Sequence, residues 1–100
     1  MTSLVIETQA ARAQDVRIDD ESLTVDLTDG RTIIVPLGWY PRLWHGTSSE
    51  RQHFELLNDG EYIHWLDLDE DLTVVGLLAG QPSRERPGSL KKWLEARTAK

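Results

Sequence analysis

The run Leu23-Thr24-Val25-Asp26-Leu27, closing on Asp29-Gly30, constrains this chain more than any other stretch. Side chains on an extended backbone point alternately to opposite faces, so Leu23, Val25 and Leu27 share one face and require a core beneath it. Asp29-Gly30 predicts a type I′ turn, because both residue types tolerate positive φ, and Arg31 to Pro36 then returns as the partner strand. Pro36 has no amide to donate and ends that strand or sits on an edge. Upstream, Asp15-Val16-Arg17-Ile18 also alternates and is set off by the polar turn Asp19-Asp20-Glu21. Three antiparallel strands are expected here.

A chain of 100 residues supports one domain with a thin core. The absence of cysteine excludes disulfides, thiolate catalysis and Cys-based metal sites. No apolar run approaches the roughly 20 residues of a membrane span, and the first residues lack the basic start and apolar stretch of a signal peptide, so a cytoplasmic location and no membrane contact are expected. Charge is unevenly spread. Residues 1–80 hold five arginines against fifteen carboxylates, whereas residues 81–100 hold six basic residues against Glu85 and Glu95. Such a tail either folds onto its own acidic body or reaches for a partner.

Residues 1–13 form an N-terminal segment, with Leu4-Val5-Ile6 suited to a short leading strand or a loose terminus. Pro41 at a first helical turn and Gly46 at the exit predict a short helical turn offering Tyr40, Leu43 and Trp44 for burial. Thr47-x-x-Glu50 is a capping box, and with Phe54 and Leu57 on one face it predicts a helix over 48–57. Asn58-Asp59-Gly60 breaks it, and Tyr62 to Trp65 reads as a strand. Residues 73–79 suit either a buried strand or a short helix capped by Thr73, stopped by Gly80 and carrying Leu72, Val75 and Ala79; the helix is the preferred reading. A linker over 81–88 follows, then a basic amphipathic helix over 89–100, capped by Ser89, whose narrow stripe is Leu90, Trp93 and Leu94. About ten residues of isolated helix are marginal in water, so that stripe must dock somewhere.

Four carboxylates fall within five residues at Asp67, Asp69, Glu70 and Asp71. On an extended strand Asp67, Asp69 and Asp71 share one face, with Leu66, Leu68 and Leu72 on the other. Close carboxylates repel unless cations or backbone donors offset them. Arg31, Arg42 and Arg51 are the expected structural ion network, and a cap on the following helix is the alternative. A calcium loop fails because Leu72 stands where glycine is needed and Leu78 where the bidentate Glu belongs. A magnesium or manganese site using two carboxylates and His64 has suitable ligands but no phosphate-binding loop beside it. His45, His53 and His64 have no metal-ligand spacing, and His64 beside Trp65 reads as a rim residue. Ser48-Ser49 lacks a nucleophile elbow. Trp39, Tyr40 and Trp44 fit a stacking platform or core filling, and a thin core favours filling.

Several of these residues together resemble a known family. Asp29-Gly30-Arg31, Pro36-Leu37, Tyr40-Pro41-Arg42-Leu43, Ile63-His64-Trp65, Leu68-Asp69-Glu70-Asp71 and Gly76-Leu77-Leu78-Ala79-Gly80 are similar to the bacterial domain-of-unknown-function 2442 family, DUF2442, over about residues 14–80. Phe54 and Leu66 depart from it, standing where Trp and Pro are frequent. The resemblance implies a small single α+β domain of antiparallel strands with short helices packed on one face. It implies no established enzymatic activity and no cofactor. Some relatives carry a C-terminal helix-turn-helix, absent here, and others are antitoxin-like proteins with toxin-like neighbours.

The leading expectation is a non-enzymatic protein-interaction domain that holds a basic or toxin-like partner, or a second copy, through Asp67, Asp69, Glu70 and Asp71 or through Leu90, Trp93 and Leu94. One alternative is a DNA-associated regulator whose basic tail contacts phosphates weakly. Another is a metal-dependent hydrolase centred on Asp69 and Asp71.

Overall fold

Leu23, Val25 and Leu27 are buried in the computed structural model, which describes residues 11–98, and they form the inward face of a central strand. Strands β1 (Ala13–Ile18), β2 (Ser22–Leu27) and β3 (Thr32–Pro36) make one antiparallel sheet in that order. Residues 1–10, including Leu4-Val5-Ile6, lie outside the described residues, as do residues 99 and 100 at the end of the expected last helix.

The β2–β3 turn differs from the expected type. Leu27 donates to the Arg31 carbonyl at 2.8 Å and Gly30 to the Leu27 carbonyl at 3.1 Å, leaving a three-residue loop over 28–30. Gly30 has φ 96°, and Asp29 is not in the left-handed region. This matches a three-residue hairpin loop with one left-handed glycine, and not the two positive φ values of a type I′ turn. The Asp29 carboxylate accepts from the Arg31 amide at 3.0 Å, which fixes the loop from its own side chain.

Helices α1 (Pro41–His45) and α2 (Ser48–Gln52) connect to a second antiparallel sheet of β4 (Phe54–Leu57), β5 (Tyr62–Trp65) and β6 (Glu70–Thr73). The capping box is present, with Thr47 Oγ1 accepting from Glu50 and the Glu50 carboxylate from Thr47. The helix nevertheless stops at Gln52, and the expected continuation to Leu57 is strand β4, paired Phe54 with Trp65 and Leu57 with Tyr62. Cross-strand pairing with β5 overrides a local pattern that fits either period. Helix α3 (Val74–Leu78) is capped by Thr73, whose hydroxyl accepts from Gly76 at 2.9 Å. It ends at Gly80, φ 72°, in a Schellman motif in which Gln81 donates to Gly76 and Gly80 to Leu77. Its buried side is Val74 and Leu77, while Val75, expected inside, is exposed. Helix α4 (Pro87–Thr98) starts two residues earlier than expected. Ser89 lies within it and donates to Glu85 at 2.8 Å instead of capping it.

Both sheets feed one core. Val16, Leu23, Val25 and Val35 meet Ile63, Trp65, Leu68, Val74 and Leu77, with Leu37, Tyr40 and Leu43 filling between. Of the three aromatics expected to fill the core, Tyr40 does so and Trp39 and Trp44 are exposed. In this short helical stretch the core takes Tyr40 and Leu43, which turns Trp44 outward. Trp65 donates its indole N–H to the Arg51 carbonyl at 2.9 Å. The buried Arg51 guanidinium in turn donates to the Leu43 and Trp44 carbonyls, both at 2.8 Å, and to Asp20 at 3.0 Å. Among the described residues no buried side-chain N or O lacks a partner, and no helix is long and apolar enough to cross a membrane.

The sheets meet closely at Gly60, φ 91°, where a Cβ would lie 2.6 Å from the Ala13 carbonyl oxygen. Gly60→Ala combines left-handed strain with a backbone clash and should cost about 2–4 kcal/mol in urea unfolding. Gly38→Ala, with open space around it, should stay within about 0.5 kcal/mol of the parent. Equal midpoints for the two variants would show that the contact is not tight.

Candidate functional site

The acidic stretch is a hairpin end, not a straight strand. Trp65 pairs with Glu70, so residues 66–69 form a loop, and Asp69 adopts φ 49°. The two-residue alternation is lost there: Leu68 is buried, but Leu66 is exposed with the carboxylates it was expected to oppose. As a result the four acidic groups separate into two pairs.

Asp67 and Asp71 meet histidines. Asp67 Oδ2 lies 2.7 Å from His53 Nδ1, and Asp71 Oδ1 lies 2.6 Å from His64 Nδ1. His64 is opposite both Glu55 on β4 and Asp71 on β6, so Glu55, His64 and Asp71 form one row across the sheet. Leu57, Tyr62 and Thr73 form the next row on that same outward face. Leu57 and Tyr62 are each 40% exposed. The inward face carries Phe54, Leu56, Ile63, Trp65 and Leu72. Reading 48–57 as one helix hid this surface. The alternation of Glu55 and Leu57 with Phe54 and Leu56 was the signal that could have found it.

Asp69 and Glu70 lie toward Arg42. Arg42 donates to the Leu68 and Asp69 carbonyls at 3.2 and 3.4 Å, approaches the Asp69 carboxylate at 3.8 Å and binds Glu85 at 2.5 Å. Of the three arginines expected at the acidic stretch, Arg42 reaches it. Arg51 is committed to carbonyls and Asp20, and Arg31 binds Asp29 within its own hairpin at 2.7 Å. A cleft of about 520 Å³ opens here, lined by Tyr40, Arg42, Glu70, Thr73 and Glu85 among others. Burial pushes the Glu70 carboxyl up, against the opposing pull of the Asp71 amide and the Arg42 charge. Burial, and then the charge of Glu70, also pushes the Tyr40 hydroxyl up. That hydroxyl donates to the Gln81 carbonyl at 3.0 Å. Asp69 and Asp71 do not converge, since one faces Arg42 and the other His64. Among the described residues no three His, Asp or Glu side chains gather as metal ligands.

The basic tail folds onto its own body. Ser83 donates to the Trp39 carbonyl at 3.1 Å, and Glu85 holds Arg42, so the linker is tethered. The Trp93 ring packs against the core and receives two guanidiniums, Arg42 at 5.1 Å and Arg97 at 4.7 Å from its centroid. Arg97 forks onto Glu50 with bonds of 2.7 and 2.9 Å. Leu90 and Leu94 are half-buried, and no residue of α4 is fully buried. Trp93, expected within a stripe that could hold a partner, is therefore engaged within the chain. Glu50, Glu85 and Arg97, which hold the helix, were not among the residues expected at a site.

A family model described as a protein of unknown function, DUF2442, matches residues 13–83. A crystal structure of a protein of unknown function from Rhodospirillum rubrum is 31% identical, with a TM-score of 0.66, over 75% of this chain and 93% of that one. A solution structure of an uncharacterised protein from Chromobacterium violaceum shares the fold at 16% identity and a TM-score of 0.64, over 96% of this chain and 84% of that one. No curated protein matches.

The two hydrogen bonds from Arg97 hold the Glu50 carboxyl down to about 2. A free glutamate carboxyl titrates near 4.5, so this ion pair stabilises fully above that value and is lost as the pH falls toward 2. Arg97→Ala should accordingly flatten the acid limb of melting temperature against pH. An acid limb identical to the parent's would mean that the pair does not hold α4.

Proposed function

The chain belongs to the DUF2442 family, and we propose that it is a non-catalytic docking module whose outward β4–β6 face holds a basic protein partner. The observation that carries this reading is the pair of rows on that face. Glu55 and Asp71 supply negative charge beside the half-exposed Leu57 and Tyr62, on a sheet whose other side is committed to the core, and Asp67 adds a carboxylate from the adjoining 66–69 loop. Such a surface combines electrostatic steering with a small apolar anchor. The carboxylates raise the encounter rate for a basic partner, and Tyr62 gives area that excludes water.

His53 and His64 orient the Asp67 and Asp71 carboxylates through their Nδ1 contacts, which limits the side-chain entropy lost on docking. The Leu90, Trp93 and Leu94 stripe is less suited to the task, because Trp93 is already held by Arg42 and Arg97. A basic, toxin-like protein in the cytoplasm fits the charge of this face and the antitoxin-like role that the family resemblance implies.

The test is capture of partners by the tagged full chain from its native organism, compared with Asp67→Lys/Asp71→Lys and Tyr62→Ala. All three positions are exposed, so melting temperatures should stay near the parent's. A partner captured by the parent, released by raised salt and lost from both variants is the expected result. Equal capture by all three proteins would place docking elsewhere.

A further inference from the structure

The cationic side chains of this acidic chain divide into two sets. Among the described residues before position 84, Arg12, Arg17, Arg31, Arg42 and Arg51 each hold a carboxylate of the same molecule. Arg97 holds Glu50. Arg84, Arg86, Lys91 and Lys92 hold none, although carboxylates outnumber cations in the chain. Two of these four, Arg86 and Lys92, line one groove of about 720 Å³ between α1 and α4, together with Arg42, Gly88, Ser89 and Trp93.

No carboxylate lines that groove. Arg42 is already matched by Glu85, and Glu85 is further occupied by the Ser89 hydroxyl. The net offer is therefore two unneutralised cations, against a wall formed by the Trp93 indole. Its volume falls in the range of small-molecule sites, roughly 300–1,000 Å³. A phosphate monoester carries about −1.5 to −2 at pH 7, which matches two free cations, whereas a monocarboxylate leaves one unmatched. A long polyanion would suffer the repulsion of the acidic body.

We propose that the groove between α1 and α4 binds the phosphate monoester of a small ligand of mononucleotide size, through Arg86 and Lys92. Arg42 positions the wall by holding Trp93 and Glu85, and Arg86 and Lys92 make the charge-assisted bonds. This site is separate from the β4–β6 face and does not depend on the docking role.

The test is calorimetric titration of the full chain with AMP, inorganic phosphate, adenosine and a short single-stranded oligonucleotide. Saturable binding of AMP, weaker binding of phosphate and none of adenosine is expected. Arg86→Glu and Lys92→Glu should each weaken AMP about tenfold or more, the weight of one charge-assisted hydrogen bond. Lys91→Glu, outside the groove, should leave AMP binding unchanged. Circular dichroism of each variant should match the parent, since none of these side chains is ion-paired. Absence of saturable AMP binding would overturn the proposal. So would equal weakening by Lys91→Glu, or binding of the oligonucleotide alone, either of which would point to diffuse attraction along the tail.

Discussion

The arrangement depends on Arg51, a buried cation whose partners are mainly backbone carbonyls. Its planar fork meets the Leu43 and Trp44 carbonyls at the end of α1, where the helix dipole is negative, and its own carbonyl accepts the Trp65 indole. One residue of α2 thereby fixes α1 behind it and β5 ahead of it. The contact with Asp20 adds the β1–β2 turn, although that carboxylate is so exposed that it contributes little energy. A buried charge is costly unless all its donors are satisfied, so these bonds are as much a specification of geometry as a source of stability. The position of Trp65 sets the register of β5, and that register sends Tyr62 and His64 outward.

Much of the fold was legible wherever local chemistry decides. The alternation in β2, the capping box at Thr47, the Thr73 cap and the glycine stop at Gly80 are all realised. Each is a case where a backbone group must be satisfied within a few residues, so neighbours in sequence carry the information. Phe54 to Leu57 failed for the opposite reason. Phe54 and Leu57 are compatible with a continuing helix, and only pairing with β5 across the following turn makes them a strand, a contact that the helical period does not register. Leu66 to Asp69 failed similarly, since a loop that reverses the chain breaks the alternation from which a common acidic face was inferred.

The candidate surfaces were legible in composition and not in placement. Clustered carboxylates and a basic tail are visible in the sequence, but their partners are not. Asp67 and Asp71 met histidines from other elements instead of arginines, and Arg31 stayed with its neighbour Asp29. The tail answered the question of its docking through Glu50, a residue whose capping role in α2 was evident but whose second role requires α4 to be in place. A side chain that serves a local cap and a distant ion pair shows only the first of these in sequence.

The manner in which α4 is attached has a consequence for motion. It meets the body through the Trp93 ring, which lies against the rim of the core and is contacted by two guanidiniums, one forked ion pair and a linker strung on Ser83 and Glu85, with none of its residues fully buried. Lifting it away would therefore leave the core of both sheets closed. Amide protons along residues 88–98 would then exchange with solvent through brief local openings, on a timescale independent of the global unfolding that governs Leu23, Val25 and Trp65.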